Sequence, residues 1–310
     1  MAGSAPRFPT WRYGKRLLWR AHDQWGVVEA VDGHLGRELH FGNASLQGRI
    51  NLEYPWLPVA EYVVSMSLAA AFPSPTKRVG QHFSNKSVSD SVPAVPQVCL
   101  LGLGTGALAW TYHHLMPHAQ LTVVELRPAV IAVAQSTFGL NKLNPSNLKL
   151  MQGDALEQIS LLPTASQTLI AVDLFTAENM ADCLLHPQLW RELSRVIHPA
   201  GVLCINTWGS RIESCLTIQS LVQKYICPGG DLYLLDHLQF TNEILFASPR
   251  PVDLPGVVKR SRMIESKLDR PAHNSKRKQK RWLKESKHAG LTNETVYARA
   301  QRLQYVKNRL

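Results

Sequence analysis

Along the middle of the chain, short apolar runs alternate with segments whose apolar residues recur at helical spacing. The runs QVCLLGLG (97–104), QLTVVELR (120–127), LKLMQGDA (148–155), TLIAVDLF (168–175) and GVLCINTW (201–208) have strand length. Between or after them, TGALAWTYHHLM, PAVIAVAQSTFGL, HPQLWRELSRVI and RIESCLTIQSLVQKYI read as helices, the second opened by Pro128. Near-continuous apolar strands are buried on both faces, which is the condition of a parallel sheet covered by helices. DLYLLDHLQFTNEILFAS (231–248) then predicts a closing hairpin. The expected fold is α/β: a doubly wound, mostly parallel, seven-stranded Rossmann-like sheet with an antiparallel end.

The pattern before residue 97 differs. QWGVVEAVDGHLGRELHFG alternates apolar and polar positions around an Asp32-Gly33 turn signal and predicts a β-hairpin. SLQGRINLEYPW adds a strand and VAEYVVSMSLAAAF a short helix. The Ser- and Pro-rich stretch PSPTKRVGQHFSNKSVSDSVPAVP has no periodicity and reads as a linker. The expected organisation is a small N-terminal β-domain (1–72), a linker (73–96), the α/β domain (97–250) and a basic C-terminal extension (251–310). In that extension Val296, Ala300, Leu303, Val306 and Leu310 form a helical stripe.

Charge sharpens the division. Of a net +11, residues 259–310 hold 16 Lys and Arg against 4 Asp and Glu, and the remaining 258 residues hold 18 against 19. A neutral body therefore carries a basic tail. Its run KRKQKRWLK interleaves an aromatic among cations, a composition suited to nucleic acid and equally to a solvated extension or a closing helix. The five cysteines form no C-x-x-C pair and mostly sit in apolar runs, which argues for reduced thiols and against a zinc site. No segment has signal-peptide character and the longest apolar stretch is too short to span a bilayer, so a soluble, cytoplasmic chain without membrane contact is expected.

The chemistry is expected where the first run of the α/β domain enters its glycine turn. In VCLLGLGTGALAW, Gly102, Gly104 and Gly106 permit a tight turn and close approach of a ligand, with a helix N-terminus behind them. Glu125 ends the next strand, where a two-oxygen acceptor suits a ribose diol. Asp154 closes the third, positioned for an adenine amino group. Each feature alone has a plain structural reading: a turn, or a solvated strand end. Their succession suits an adenosine lying across the carboxyl edge of the sheet. A nicotinamide-dependent oxidoreductase and a non-catalytic nucleotide- or nucleic-acid-binding protein are the alternatives from other classes.

VCLLGLGTGALA, VVELRPAVIAVAQSTFGL, GDA and VDLF, in this order and spacing, resemble the spermidine synthase-like branch of the class I adenosylmethionine-dependent methyltransferase fold. The preceding hairpin with Gln47 resembles that branch's small N-terminal β-domain. The resemblance implies a transferase whose donor is S-adenosylmethionine or its decarboxylated form, with no metal. It implies that Gly102, Gly104 and Gly106 turn beneath the donor's amino-acid chain. Glu125 would hold the ribose, Asp154 and Ala155 the adenine, and Gln47 would lean over from the β-domain. Asp173 matches the catalytic aspartate that accepts a proton from an attacking amine, and Glu61 is what remains of a Tyr-His-Glu entrance motif, at Val59–Glu61. Phe175 and Trp208, at strand ends, are expected to wall the substrate pocket.

The departures from aminopropyltransferases fall on acids. Thr105 stands where they have an aspartate, and DLFTA, with Thr176 and Ala177, replaces their D-[ST]-[ST]-D-P. An aspartate at 105 would repel the methionine carboxylate of intact adenosylmethionine, and a polycationic acceptor needs carboxylates around it. The leading expectation is methyl transfer from adenosylmethionine to an unidentified small-molecule acceptor. Aminopropyl transfer to a polyamine is the runner-up, and a homodimer is left open.

Overall fold

The computed structural model describes residues 10–72, 93–209, 211–236, 242–268 and 295–306. Residues 73–92 of the expected linker, residues 237–241, Leu310 and the KRKQKRWLK run lie outside these residues.

Five antiparallel strands form the N-terminal sheet: β1 (Thr10–Arg12), β2 (Lys15–Asp23), β3 (Gly26–Gly33), β4 (Gly36–His40) and β5 (Leu46–Ile50), in that spatial order. The expected hairpin is β3–β4, but its turn falls at His34 and Leu35, with Gly33 paired to Gly36, rather than at Asp32-Gly33. Gly36 has to lie there because a Cβ on it would meet the Ile50 carbonyl of β5 at 2.2 Å. The first two strands were not foreseen. Their Arg and Lys side chains mask the alternation, yet Arg12 and Arg20 reach the buried Glu29, and Lys15 and Arg49 reach the buried Glu38. Burial alone would raise the Glu38 carboxyl, but hydrogen bonds from His40, Lys15 and Arg49 outweigh it and hold the group at about 2.

The second sheet contains β6 (Gln97–Leu101), β7 (Gln120–Glu125), β8 (Leu148–Gln152), β9 (Gln167–Val172), β10 (Ile197–Trp208), β11 (Asp231–Asp236), β12 (Asn242–Ser248) and β13 (Gln304–Tyr305). Its order is β13-β11-β12-β10-β9-β6-β7-β8. The five strands from β10 to β8 are parallel, and β12, β11 and β13 continue antiparallel. This is the expected doubly wound sheet with its antiparallel end, extended by an eighth strand. Alternate strand residues enter two cores. Leu100, Val123, Ala171 and Cys204 meet one set of helices and the N-terminal sheet, while Leu101, Val124, Ile170 and Ile205 meet the other. On the first side lie α1 (Glu61–Ser67), α2 (Ala107–Leu115), α3 (Pro128–Ser136), α7 (Leu254–Leu268) and α8 (Val296–Gln301). On the second lie α4 (Ala155–Ser160), α5 (Pro187–Val196) and α6 (Ile212–Tyr225).

The C-terminal extension is not a detached basic tail where it is described. The α7 helix buries Val257, Ser261, Ile264 and Leu268, and its cations cap other elements: Lys267 donates to the Leu115 carbonyl and Arg260 to that of Ala71. Beyond it, α8 stops at Gln301 rather than following the expected stripe to Leu310. The chain then pairs Gln304 and Tyr305 with β11, so Leu303 and Val306 are buried from an extended segment instead of a helix.

One buried ion pair fastens the two sheets together. Arg127, between β7 and α3, donates to both carboxylate oxygens of Asp23 at 3.1 and 2.8 Å and lies over the Phe41 ring. Both side chains are 9% exposed. Arg127→Met is expected to lower stability by about 3 kcal/mol, because it strands a buried carboxylate. In urea unfolding, the double variant with Asp23→Asn should recover much of that loss; equal midpoints for both variants would refute the account.

Candidate active site

The parallel strands reverse direction of progress between β6 and β9, and ligands of open α/β sheets bind outside the carboxyl ends at such a point. Here the two strand ends are in contact. Gly102 donates its N–H to the Val124 carbonyl at 2.9 Å and Asp173 donates its own to Leu101 at 2.8 Å. A Cβ on Gly102 would stand 2.2 Å from the Asp173 carbonyl oxygen, so the glycine is what lets the turn after β6 pass the end of β9. Above this junction lies a cleft of about 930 Å³ between the sheet edge, α1 and β5 of the N-terminal sheet.

Most of the residues expected at the site line this cleft: Gln47, Glu61, Gly102, Gly104, Glu125, Asp154, Ala155, Asp173, Phe175 and Trp208. The glycine turn is held open by Glu125, which accepts from the Leu103 N–H at 3.0 Å and from the Arg127 N–H at 2.9 Å. Burial raises the Glu125 carboxyl, while those backbone donors, the Gly104 N–H and the Arg127 charge pull it back down. Asp154 caps α4, its Oδ1 accepting from Leu156 and Glu157 at 2.8 and 3.4 Å. Gln47 reaches from β5 across the cleft to the Ala177 carbonyl at 3.5 Å. Phe175 and Trp208 stand on the far wall, where the Trp208 N–H contacts the Met180 sulfur.

Two expected residues fall elsewhere. Thr105 is 2% exposed and does not line the cleft; its side chain packs on Gly48 of β5, filling space a Cβ there would take. Gly106 caps α2 behind the turn, against Leu140. Both residues seat the turn instead of touching the cleft. Glu61 lines the cleft, but its carboxylate is paired with Arg299 of α8, so it is not an entrance acid facing outward.

Asp173 is the centre of the arrangement. Asn206 on β10 donates to its Oδ1 at 2.9 Å, and Asn242 on β12 in turn donates to the Asn206 oxygen at 3.0 Å. Tyr62, on α1, hydrogen bonds to the same carboxylate from the other side. Burial pushes the Asp173 carboxyl up to about 6, although both hydrogen bonds favour the charged form. Burial and the nearby Asp173 charge drive the Tyr62 phenol well above its ordinary range, which makes it a donor to the carboxylate rather than a base. Tyr62, Asn206 and Asn242 were not foreseen. Tyr62 had a signal, since it follows Glu61 directly in VAEY, one place past the alignment considered; the two asparagines sit in strands whose apolar runs gave no hint.

The cleft's thiol is no rival nucleophile. Burial lifts Cys183 to about 11, so it is protonated at neutral pH. Among the described residues no His, Cys, Asp and Glu cluster has the makings of a metal site. No helix among them is long and apolar enough to cross a membrane.

Residues 100–205 match the model of a methyltransferase domain. The chain is 26% identical over 172 residues to a polyamine aminopropyltransferase of Neisseria meningitidis, a match covering 56% of this chain and 58% of that protein. It thus spans well under two thirds of that relative. Its fold is similar to that of a probable spermidine synthase from Corynebacterium glutamicum, with a TM-score of 0.63 at 15% identity, over 83% of this chain and 97% of that one. Human methyltransferase-like protein 13, solved in complex with SAH, gives a TM-score of 0.55 at 18% identity, over 70% and 96% of the two chains. The chain therefore has the spermidine synthase-like form of the class I adenosylmethionine-dependent methyltransferase fold.

Proposed function

We propose that this chain is a transferase that takes an adenosylmethionine-type donor into the cleft and moves a carbon group from its sulfonium to a small-molecule acceptor. The observation that carries the proposal is the junction of Gly102 with Asp173, which sets a carboxylate of weakened acidity against the turn where the donor's sulfonium arm would pass. In this reading Glu125 turns its remaining lone pairs to the ribose diol, Asp154 and Ala155 meet the adenine, and Gln47 closes over the nucleoside. The acceptor's lone pair attacks the sulfonium-bound carbon as the carbon–sulfur bond breaks, and the proton released by the acceptor passes to Asp173. Phe175 and Trp208 exclude water from that step, and Asn206 with Tyr62 keeps the Asp173 oxygens aimed.

Methyl transfer from intact adenosylmethionine is the leading chemistry. Its support is that the turn carries no acid: Thr105 is uncharged and directed into β5, so nothing there opposes the methionine carboxylate. Aminopropyl transfer from the decarboxylated donor is the second reading, supported by the aminopropyltransferase relative. Calorimetric titration of the two donors separates them. Binding of adenosylmethionine at least as tight as its decarboxylated form is the expected result. Binding of the decarboxylated form alone reverses the order, and binding of neither refutes the donor site.

A further inference from the structure

Few charges in the cleft remain available to a bound acceptor. Arg127 is committed to Asp23 and Arg49 to Glu38, and Glu125 is occupied by the backbone of the turn. Glu178 and Asp182 lie on the exposed rim, where water screens them. Glu61 and Asp173 both line the cleft, and Tyr62, next to Glu61 on α1, hydrogen bonds to Asp173.

Glu61 does not act there as a free anion. Arg299 enters from α8, 238 residues later, and its Nη2 donates to Glu61 Oε2 while Nη1 donates to Ser65 Oγ at 2.7 Å. The Arg299 and Glu61 side chains are 1% and 7% exposed. At contact range the two charges cancel for anything bound beyond them, and burial leaves little water to separate them. Among the described residues lining the cleft, Asp173 is then the anion that remains beside Tyr62, Asp154 capping α4 at the end assigned to the adenine. A molecule bringing two ammonium groups would desolvate one of them with no counter-charge, which is strongly unfavourable.

We infer that Arg299 is a specificity-determining residue: by cancelling Glu61 it excludes polycationic acceptors and restricts the site to a compact nucleophile with at most one positive charge. Such an acceptor, a neutral or singly protonated amine for instance, is matched by one carboxylate, the Asn206 amide and the rings of Tyr62, Phe175 and Trp208. This inference rests on the transferase reading above. It also gives the C-terminal segment a role in acceptor choice that its basic composition did not suggest.

The test is calorimetric titration of butylamine and of putrescine into the full chain, each with and without adenosylmethionine. The proteins are the wild type, Glu61→Gln, Arg299→Gln and the double variant. The wild type should bind butylamine at least as tightly as putrescine. The double variant, which keeps the pair neutral, should change neither, and Glu61→Gln, which leaves the Arg299 charge unpaired, should weaken both. Arg299→Gln, by releasing the Glu61 charge, should tighten putrescine binding about tenfold, and the double variant should lose that gain. A merely structural staple would show no gain that depends on Glu61. Preference of the wild type for putrescine, abolished in the double variant, would overturn the inference, as would a folded Arg299→Gln protein that gains nothing. Where Arg299→Gln fails to fold, the wild type against the double variant decides: weaker putrescine binding in the double variant refutes the inference and unchanged binding supports it. Failure of adenosylmethionine to bind the wild type refutes the donor reading separately, since the amine titrations without nucleoside still report on Glu61.

Discussion

Asp173→Asn is expected to cost about 10²–10⁴-fold in turnover while making the protein more stable. The two effects share one cause. Asp173 is held at about 6 because its charge is poorly solvated at the junction of β6 and β9, so the ionised form that accepts a proton is also the form the fold tolerates least. The asparagine keeps the shape and an oxygen to accept from Asn206, and it removes the charge. Donor affinity, measured by calorimetry, should stay within about threefold, since the loss is confined to proton acceptance. Turnover is read as release of the nucleoside product against a panel of monoamine acceptors.

The pH dependence fixes the sign of the stability change. The folded-state value of about 6 lies above the ordinary carboxyl value of 3.8, so the folded chain binds this proton more tightly than the unfolded one. Asp173 therefore lowers stability as pH rises from about 4 to about 6 and keeps it lowered above that range. Because the carboxyl borders the cleft, the deficit at neutral pH is taken as about 2 kcal/mol, which corresponds to a Tm gain of about 5 °C for Asp173→Asn. The gain should shrink as pH falls and be gone near pH 4, where the wild-type residue is itself neutral. Wild-type turnover should fall about tenfold per pH unit below about 6 as the base is protonated. A Tm difference independent of pH would show that Asp173 is not the buried, raised acid described here.

What the sequence made legible follows from where each signal is satisfied. The central parallel strands were readable because burial on both faces leaves them largely apolar; QTLIAV of β9 has no exposed position, whereas β8, at the sheet's edge, exposes Lys149 and Gln152. The glycine turn, Glu125 and Asp154 were readable because each ends one such strand, so topology alone brings them to one edge. The β1 and β2 strands were not, because Arg12, Lys15 and Arg20 find their partners only across the sheet, on Glu29 and Glu38. The α7 helix was hidden in the same way: Val257, Ile264 and Leu268 keep a helical stripe, but lysines and arginines that cap distant carbonyls surround it. Arg299 is the extreme case. Counted as one cation of a basic tail, it is instead buried against Glu61, and no local pattern reports a contact made across nearly the whole chain. Thr105 shows the converse, a residue singled out by its position in the turn whose side chain packs on β5 instead of lining the cleft.

Gly102→Ala is expected to do the most damage of any single-methyl change at the site, and Gly104→Ala, two residues on, comparatively little. Both glycines have positive φ, +94° and +54°, which alone costs an alanine roughly 1–2 kcal/mol. They differ in what surrounds the added carbon. At Gly104 there is nothing within 4 Å, so the backbone preference is the whole penalty. At Gly102 the carbon would lie 2.2 Å from the Asp173 carbonyl oxygen and 3.0 Å from its carbon, and those are backbone atoms that no rotamer change can move. Relief requires parting β6 from β9, against the hydrogen bond from Asp173 to Leu101, or shifting the turn off β7, against that from Gly102 to Val124. Overpacking of a rigid site adds roughly 1–3 kcal/mol to the backbone term, for a total of about 2–5 kcal/mol. The shift also displaces the turn that would hold the donor, so adenosylmethionine affinity should fall at least about a hundredfold in any Gly102→Ala protein that folds. Thermal unfolding and calorimetry on the two variants side by side make the test. Equal losses at both positions would mean that backbone conformation alone explains the glycines, and the strand junction would no longer account for how turn and carboxylate are brought together.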